Sequence, residues 1–404
     1  MKASTVTPKR ASNPPRIRSL AMKKIDGFMV ALLAGGAGLM LSATDSVLAA
    51  ESSGSGQDNQ GLQAKLYVTL EEPDALGIVD PKSKKGLGTV AVGGKPHDVI
   101  CAPDGATAYV TNPETHNLSV VDTATDKVKK TVEFGQGTTP WHVEISPDGS
   151  QVFAALQDQS AVAIIATADN HLATKVSVTS GPWGVAAPKN GPWAVAAPRN
   201  DVVYVTLNGS ITKGTANAAR SEDIAVFDPT AAVPTVKYVT LAADTANGPH
   251  GIVSAPDGSA VYVAAEASHE VWKIQVDGNQ AKRVVEIPDP NPAGTPLNPG
   301  FPTDLGISPD GNTLIAVNHD LDSITVINLK THKIIETVST GEGSAPWGAL
   351  ISPDGQTAYI STNGADSLAF FSMKELTDGT EGARKHTIAD LPTSDGLAWC
   401  NLAQ

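Results

Sequence analysis

Nine histidines carry most of the acid–base and ligating capacity of this chain. His97 and His250 each follow a proline directly, and His142 stands two residues after Pro140. An imidazole binds copper, zinc or iron, serves as an axial ligand to haem, and moves a proton near neutral pH. At near-matching points of separate repeats, His97, His142 and His250 form a candidate metal set. Local spacing adds no support, because neither HxH nor HExxH occurs. His250 with Glu266 or His269, in one repeat, is the candidate acid–base pair. Trp141, Trp183, Trp193 and Trp347 follow a proline, as His97 and His250 do elsewhere. Read as packing, these indoles tie neighbouring repeats together near a rim. Read as chemistry, they make a collar around a ligand. The candidate ligand-binding set is Trp141 and Trp347 with His116, His269 and His319.

The elements that position these residues follow from a repeat. Five segments share a Pro, an apolar stretch, Pro-Asp-Gly and a second apolar run: PHDVICAPDGATAYV, PWHVEISPDGSQVFA, PHGIVSAPDGSAVYV, PTDLGISPDGNTLIA and PWGALISPDGQTAYI. Asp-Gly between alternating apolar runs marks a hairpin, since Gly accepts the positive φ of the turn. A third and a fourth strand follow, as in NLSVVD and VKKTVEF. Four antiparallel strands every 40–45 residues or so predict β-propeller blades. Leading prolines at 96, 140, 182 or 192, 249, 302, 346 and 392 give seven first strands. The N-terminal piece has only three strands, and PTSDGLAWC at the C-terminus is a lone first strand. The last strand therefore completes the first blade and closes the ring.

In this topology the leading prolines and the second-to-third loops share one face, here the upper face. His97, His116, His142, His250, His269 and His319 belong to it, with Asp98, Glu266, Asp304, Asp320 and Asp395. The Pro-Asp-Gly turns, His171 and His332 belong to the lower face. Cys400 ends the closing strand and Cys101 lies in the neighbouring first strand. They either pair and latch the ring or remain two buried thiols. The decapeptide at 181–190 recurs almost unchanged at 191–200. Only one copy can be the first strand of blade four. The second is favoured, because it joins VVYVT by a short turn, so no eighth blade is expected.

The stretch AYVTNPETHNLSVVDTATDKV resembles a repeat of the YVTN β-propeller family, through Tyr109-Val110-Thr111-Asn112. YVTLN at 204–208 and YISTN at 359–363 match more loosely. The resemblance implies an all-β, seven-bladed propeller. Similar repeats occur in surface-layer-like and periplasmic proteins, and the wider superfamily includes lactonases, nitrous-oxide reductase and haem nitrite reductases. It implies an architecture and no single activity.

Residues 1–50 read as a signal peptide: seven Lys or Arg, an apolar run from Phe28 to Leu41, then small residues before Glu51. Met22 is an alternative start. Residues 51–64 read as a flexible leader and 65–404 as the propeller. The chain is therefore expected in the periplasm or secreted, as a monomer without a membrane anchor. The full sequence has a net charge of −13, and loss of the basic leader makes it more acidic still. Such a surface repels phosphate backbones, so nucleic acid is not an expected partner. GxSxG, a P-loop and CxxCH are absent. The leading expectation is a binding module for a small ligand, metal or protein partner at the upper face. The alternatives are a metal- or cofactor-dependent enzyme (lactonase, lyase or redox) at the channel mouth, and a structural surface-layer-like protein.

Overall fold

The computed structural model describes residues 63–178, 190–209, 223–241, 248–288, 302–378, 385–389 and 391–402. All lie within one compact unit, 46–404. Among them are seven four-stranded antiparallel sheets, each a blade, in a closed ring. Blade one is completed by the C-terminal strand Ser394–Asn401, which pairs with Ala64–Leu70 across more than three hundred residues of sequence. The remaining innermost strands are Val99–Cys101, Pro140–Ile145, Asn190–Arg199, Pro249–Ser254, Asp304–Ile307 and Pro346–Ile351. The second copy of the duplicated decapeptide thus supplies the inner strand of blade four. The first copy, with Trp183, lies outside the described residues, as does most of the loop at 208–223 and of that at 288–301.

The Pro-Asp-Gly turns form for a local reason. In each, the Asp carboxylate accepts the N–H two residues on, as Asp148 does from Ser150 at 2.9 Å. The Gly takes φ near +70°. At Gly105 (φ 71°) a Cβ would fall 1.4 Å from the Asn401 carbonyl oxygen, so this turn also fits against the closing strand. Cys101 and Cys400 are disulfide-bonded beside it.

Where the second strand carries Tyr-Val-Thr, at 67–69, 109–111 and 204–206, it joins one blade to the next. The Tyr109 hydroxyl donates to Asn170 Oδ1 at 3.0 Å and the Tyr67 hydroxyl to Asp126 Oδ1 at 2.7 Å. Both acceptors sit in the lower turn of the following blade, at φ 54° and 53°. Two residues later the hydroxyl works at the upper end. Thr206 Oγ1 accepts the Ala194 N–H of its own blade at 2.9 Å and donates to the His250 carbonyl of the next at 2.6 Å. Thr111 does the same between Asp98 N–H and Trp141 C=O, and Thr69 between Gly396 N–H and His97 C=O. Ser361 spans Gly348 N–H and Asp395 C=O. At Thr69, Thr206 and Ser361 the ladder between the first and second strands slips register, and the hydroxyl satisfies the freed N–H. Blades three, five and six carry Ala155, Ala264 and Val317 here and lack the bridge.

Two outcomes follow. Thr206→Val keeps the shape but strands a buried N–H and C=O, and should cost about 2 kcal/mol in urea unfolding, with the fold retained. Cys400→Ser should cost about 2–4 kcal/mol, and a reductant that lowers the wild-type Tm should leave this variant's unchanged.

Candidate functional site

The strand alternation selects the residues that face the axis. In Trp141-His142-Val143-Glu144-Ile145, Val143 and Ile145 are buried between blades, so His142 and Glu144 point into the channel. The same logic places Asp98 and Ile100 in blade two, and Asp304 in blade six. These side chains line one axial cavity of about 150 Å³.

Its upper end is built of rings. His97 stacks on Trp141 with centroids 3.9 Å apart. Trp141 meets Trp193 at 5.2 Å, and Trp193 meets His250 at 4.4 Å. Trp347 reaches His97 at 6.0 Å, His250 at 6.1 Å and His319 at 5.2 Å, edge to face each time. The indoles therefore tie neighbouring blades together, as the packing reading expects, and they also line the cavity. They form a cap at the channel mouth, one member of which, Trp193, comes from the duplicated segment. Glycine at 251 and 348 lets the inner strands crowd there. A Cβ on Gly251 would lie 2.6 Å from the Thr303 carbonyl oxygen.

Below the cap lie carboxyl groups. Asp98 accepts the Val99 N–H at 2.8 Å and the Val143 N–H of the next blade at 2.9 Å, and its Oδ2 stands 3.5 Å from His142 Nε2. Asp304 accepts the Ala349 N–H of blade seven at 3.2 Å. Asp395 accepts the Asn363 amide at 2.7 Å. Burial disfavours charge on all of them. It pushes Glu144 up to about 7 and Asp304 up to about 6, and raises Asp98. Asp395 goes up to about 8, by burial first and then by the charge of Glu71. His97 is 6% exposed. Burial, reinforced by His142 and His250, pushes it down to about 3 and keeps it neutral. Neither of its ring nitrogens makes a well-formed hydrogen bond.

The expected metal set is not assembled. His97 and His250 are held against indoles, with the Trp141 and Trp193 rings between blades two and five. His250 Nδ1 is bonded to the Thr303 carbonyl at 2.6 Å. His142 is engaged by Asp98 and by the Val195 N–H at 3.4 Å. Among the described residues no group of three His, Cys, Asp or Glu is set to hold a metal ion. His116 and His269 do not line the cavity. Each occupies a second-to-third turn in a left-handed conformation, φ 60° and 57°, and His116 Nδ1 bonds the Thr138 carbonyl oxygen. Glu266 is buried just past the end of its strand, outside the cavity wall that His250 helps to form. His319 stays at the edge of the cap, its Nδ1 2.7 Å from Asp320. Sequence reasoning missed Glu144. Its signal was the alternation with Val143 and Ile145.

A seven-bladed propeller whose axial mouth holds aromatic rings over buried acids is the class defined by this fold and site. The profile of the family described as "Lactonase, 7-bladed beta-propeller" matches residues 80–347. The chain belongs to that family. No curated protein matches it significantly. Among solved structures, the periplasmic gluconolactonase of Pseudomonas aeruginosa is 18% identical, with a TM-score of 0.66 over 84% of this chain and 99% of that one. A hydrazine synthase of Kuenenia stuttgartiensis is 21% identical, with a TM-score of 0.61 over 76% and 92%. A virginiamycin B lyase of Staphylococcus aureus with quinupristin is 13% identical, with a TM-score of 0.56 over 74% and 92%. At these identities the likeness is one of fold. No helix among the described residues is long and apolar enough to cross a membrane.

The raised acids oppose folding as pH rises. The folded state holds the Glu144 proton up to about pH 7, whereas the unfolded chain releases it near 4.5, so stability present at low pH is lost through that window. Glu144→Gln should match wild type at pH 4 and exceed it by on the order of 2 kcal/mol at pH 8, measured by urea unfolding at both pH values.

Proposed function

We propose that the chain hydrolyses a small lactone in the axial cavity, with Glu144 as general base. One observation carries this reading: carboxyl groups pushed to about 7 and about 8 line the same axial cavity. A base and an acid poised on either side of neutrality are what ester hydrolysis needs. Water oxygen adds to the lactone carbonyl carbon while Glu144 takes a water proton. The ring C–O bond then breaks, and Asp395, protonated at neutral pH, supplies the proton to the departing oxygen. The product is an open-chain hydroxy acid. Proton exchange with solvent resets both carboxyls.

His142 is not the base. Its Nδ1 accepts the Val195 N–H and its Nε2 faces Asp98. It orients Asp98 instead. The cap rings supply a surface for the flat face of the substrate. A cavity of about 150 Å³ takes a single five- or six-membered ring, comparable to cavities that hold benzene, and is small for a macrocycle. Family membership supports a lactone. The Tyr109–Asn112 segment and the basic, apolar leader further support a YVTN-type member that is periplasmic or secreted.

A bell-shaped kcat/KM profile is expected with five- and six-membered lactones, its limbs near pH 7 and pH 8. Glu144→Gln should lower kcat by about 10²- to 10⁴-fold. Hydrolysis that is unaffected by Glu144→Gln would remove Glu144 from the mechanism. If lactones bind at the mouth without turnover, the binding-module reading takes its place, and the stacked cap is the observation that favours it.

A further inference from the structure

The cavity carries a charge pattern that lactone hydrolysis alone does not use. Three indoles, Trp141, Trp193 and Trp347, line its upper part, and Asp98, Glu144, Asp304 and Asp395 line it below. Among the described residues neither Lys nor Arg is in its wall. His97, the most deeply buried imidazole of the cap, is held neutral, and its ring nitrogens are left without a well-formed hydrogen bond. Indole faces attract cations through the ring quadrupole, Trp most strongly. Carboxyls in a confined space do the same through charge as they ionise, Asp304 and Glu144 by pH 8, and the net charge of −13 favours cation entry at longer range.

The alternatives fit less well. An anion would meet four carboxyls and, among the described residues, no permanent cation. A bare metal ion would find carboxylates already engaged by backbone N–H groups and no set of three ligands among the described residues. A neutral apolar ring would satisfy the indoles but leave the acids unanswered. A small organic cation uses both halves: its methyl or methylene surface lies against the indoles and its charge is balanced by the shaft. A choline-sized ion is within reach of a cavity of about 150 Å³.

We propose that this cavity recognises small organic ammonium ions, so that its substrate or ligand carries a positively charged amine or quaternary ammonium group. The inference deepens the lactonase reading by naming the substrate class of the same cavity, yet binding is measurable without turnover.

The test is isothermal titration of the purified full chain with choline and with 3,3-dimethylbutan-1-ol, its uncharged isostere of nearly the same shape. Choline should bind at least tenfold more tightly than the alcohol at pH 8. Trp193→Leu and, independently, Glu144→Gln should each weaken choline by about fivefold or more, with circular dichroism and Tm showing that each variant is folded. Equal affinity for the two compounds, or choline binding that survives both substitutions, would overturn the proposal, as would no choline binding up to 50 mM or so. Lactone hydrolysis by the wild-type chain, assayed in parallel, reads separately: no turnover with intact choline binding counts against the hydrolase reading alone.

Discussion

Seven inner strands must converge on one axis, and each buried backbone N–H and C=O there must find a partner. Ordinary ladder pairing cannot supply them all, because the strands separate from their own blades as they reach the mouth. The hydroxyls of Thr69, Thr111, Thr206 and Ser361 fill the gap, each accepting from one blade and donating to the next. A single atom thus closes a backbone defect and fixes the angle between blades. The carbonyls it holds belong to His97, Trp141, His250 and Asp395, which are cavity-lining residues. The ring closure and the site are the same construction.

The carboxylates extend this logic one step inward. Asp98 and Asp304 each accept an N–H from the inner strand of a neighbouring blade, so they too tie the ring while facing the cavity. Held there by geometry, they are desolvated, and desolvation raises their pKa values. Glu144 contacts only the adjacent Ile145 N–H and stays free for chemistry, among the hydrogen bonds that involve described residues. Structural and chemical demands therefore separate along one strand face. The acids near the mouth are partly spent on architecture, and the deeper one is available.

The fold was legible because its signals are local. Pro-Asp-Gly turns, alternating strands and the lone C-terminal strand are short-range patterns, and their count sets the blades. The second copy of the decapeptide, favoured for its short turn to VVYVT, is the strand. The site was legible only in part. That His97, His250, Trp141 and Trp347 reach one face followed from topology. Which of them touch did not, since that depends on radius and ring orientation. Three histidines looked like a metal set because sequence shows residue type and not what stands between them. Two of them are stacked on Trp141 and Trp193. His116 and His269 belong to the same face but sit in turns, where positive φ rather than ligand contact accounts for them. Glu144 was overlooked because a lone Glu in a strand looks solvated. Only the burial of Val143 and Ile145 on its alternate positions turns it inward.

The central claim is that the inner strands hold several carboxyl groups in one desolvated cavity, poised near neutral pH. Carbon-13 NMR titration of the side-chain carboxyls, with the Asp395 and Glu144 signals assigned by Asp395→Asn and Glu144→Gln, tests it most directly. The account predicts Glu144 titrating near 7 and Asp395 near 8, well above the usual range of surface acids. Titration of both near 4 would show a solvated channel and contradict it.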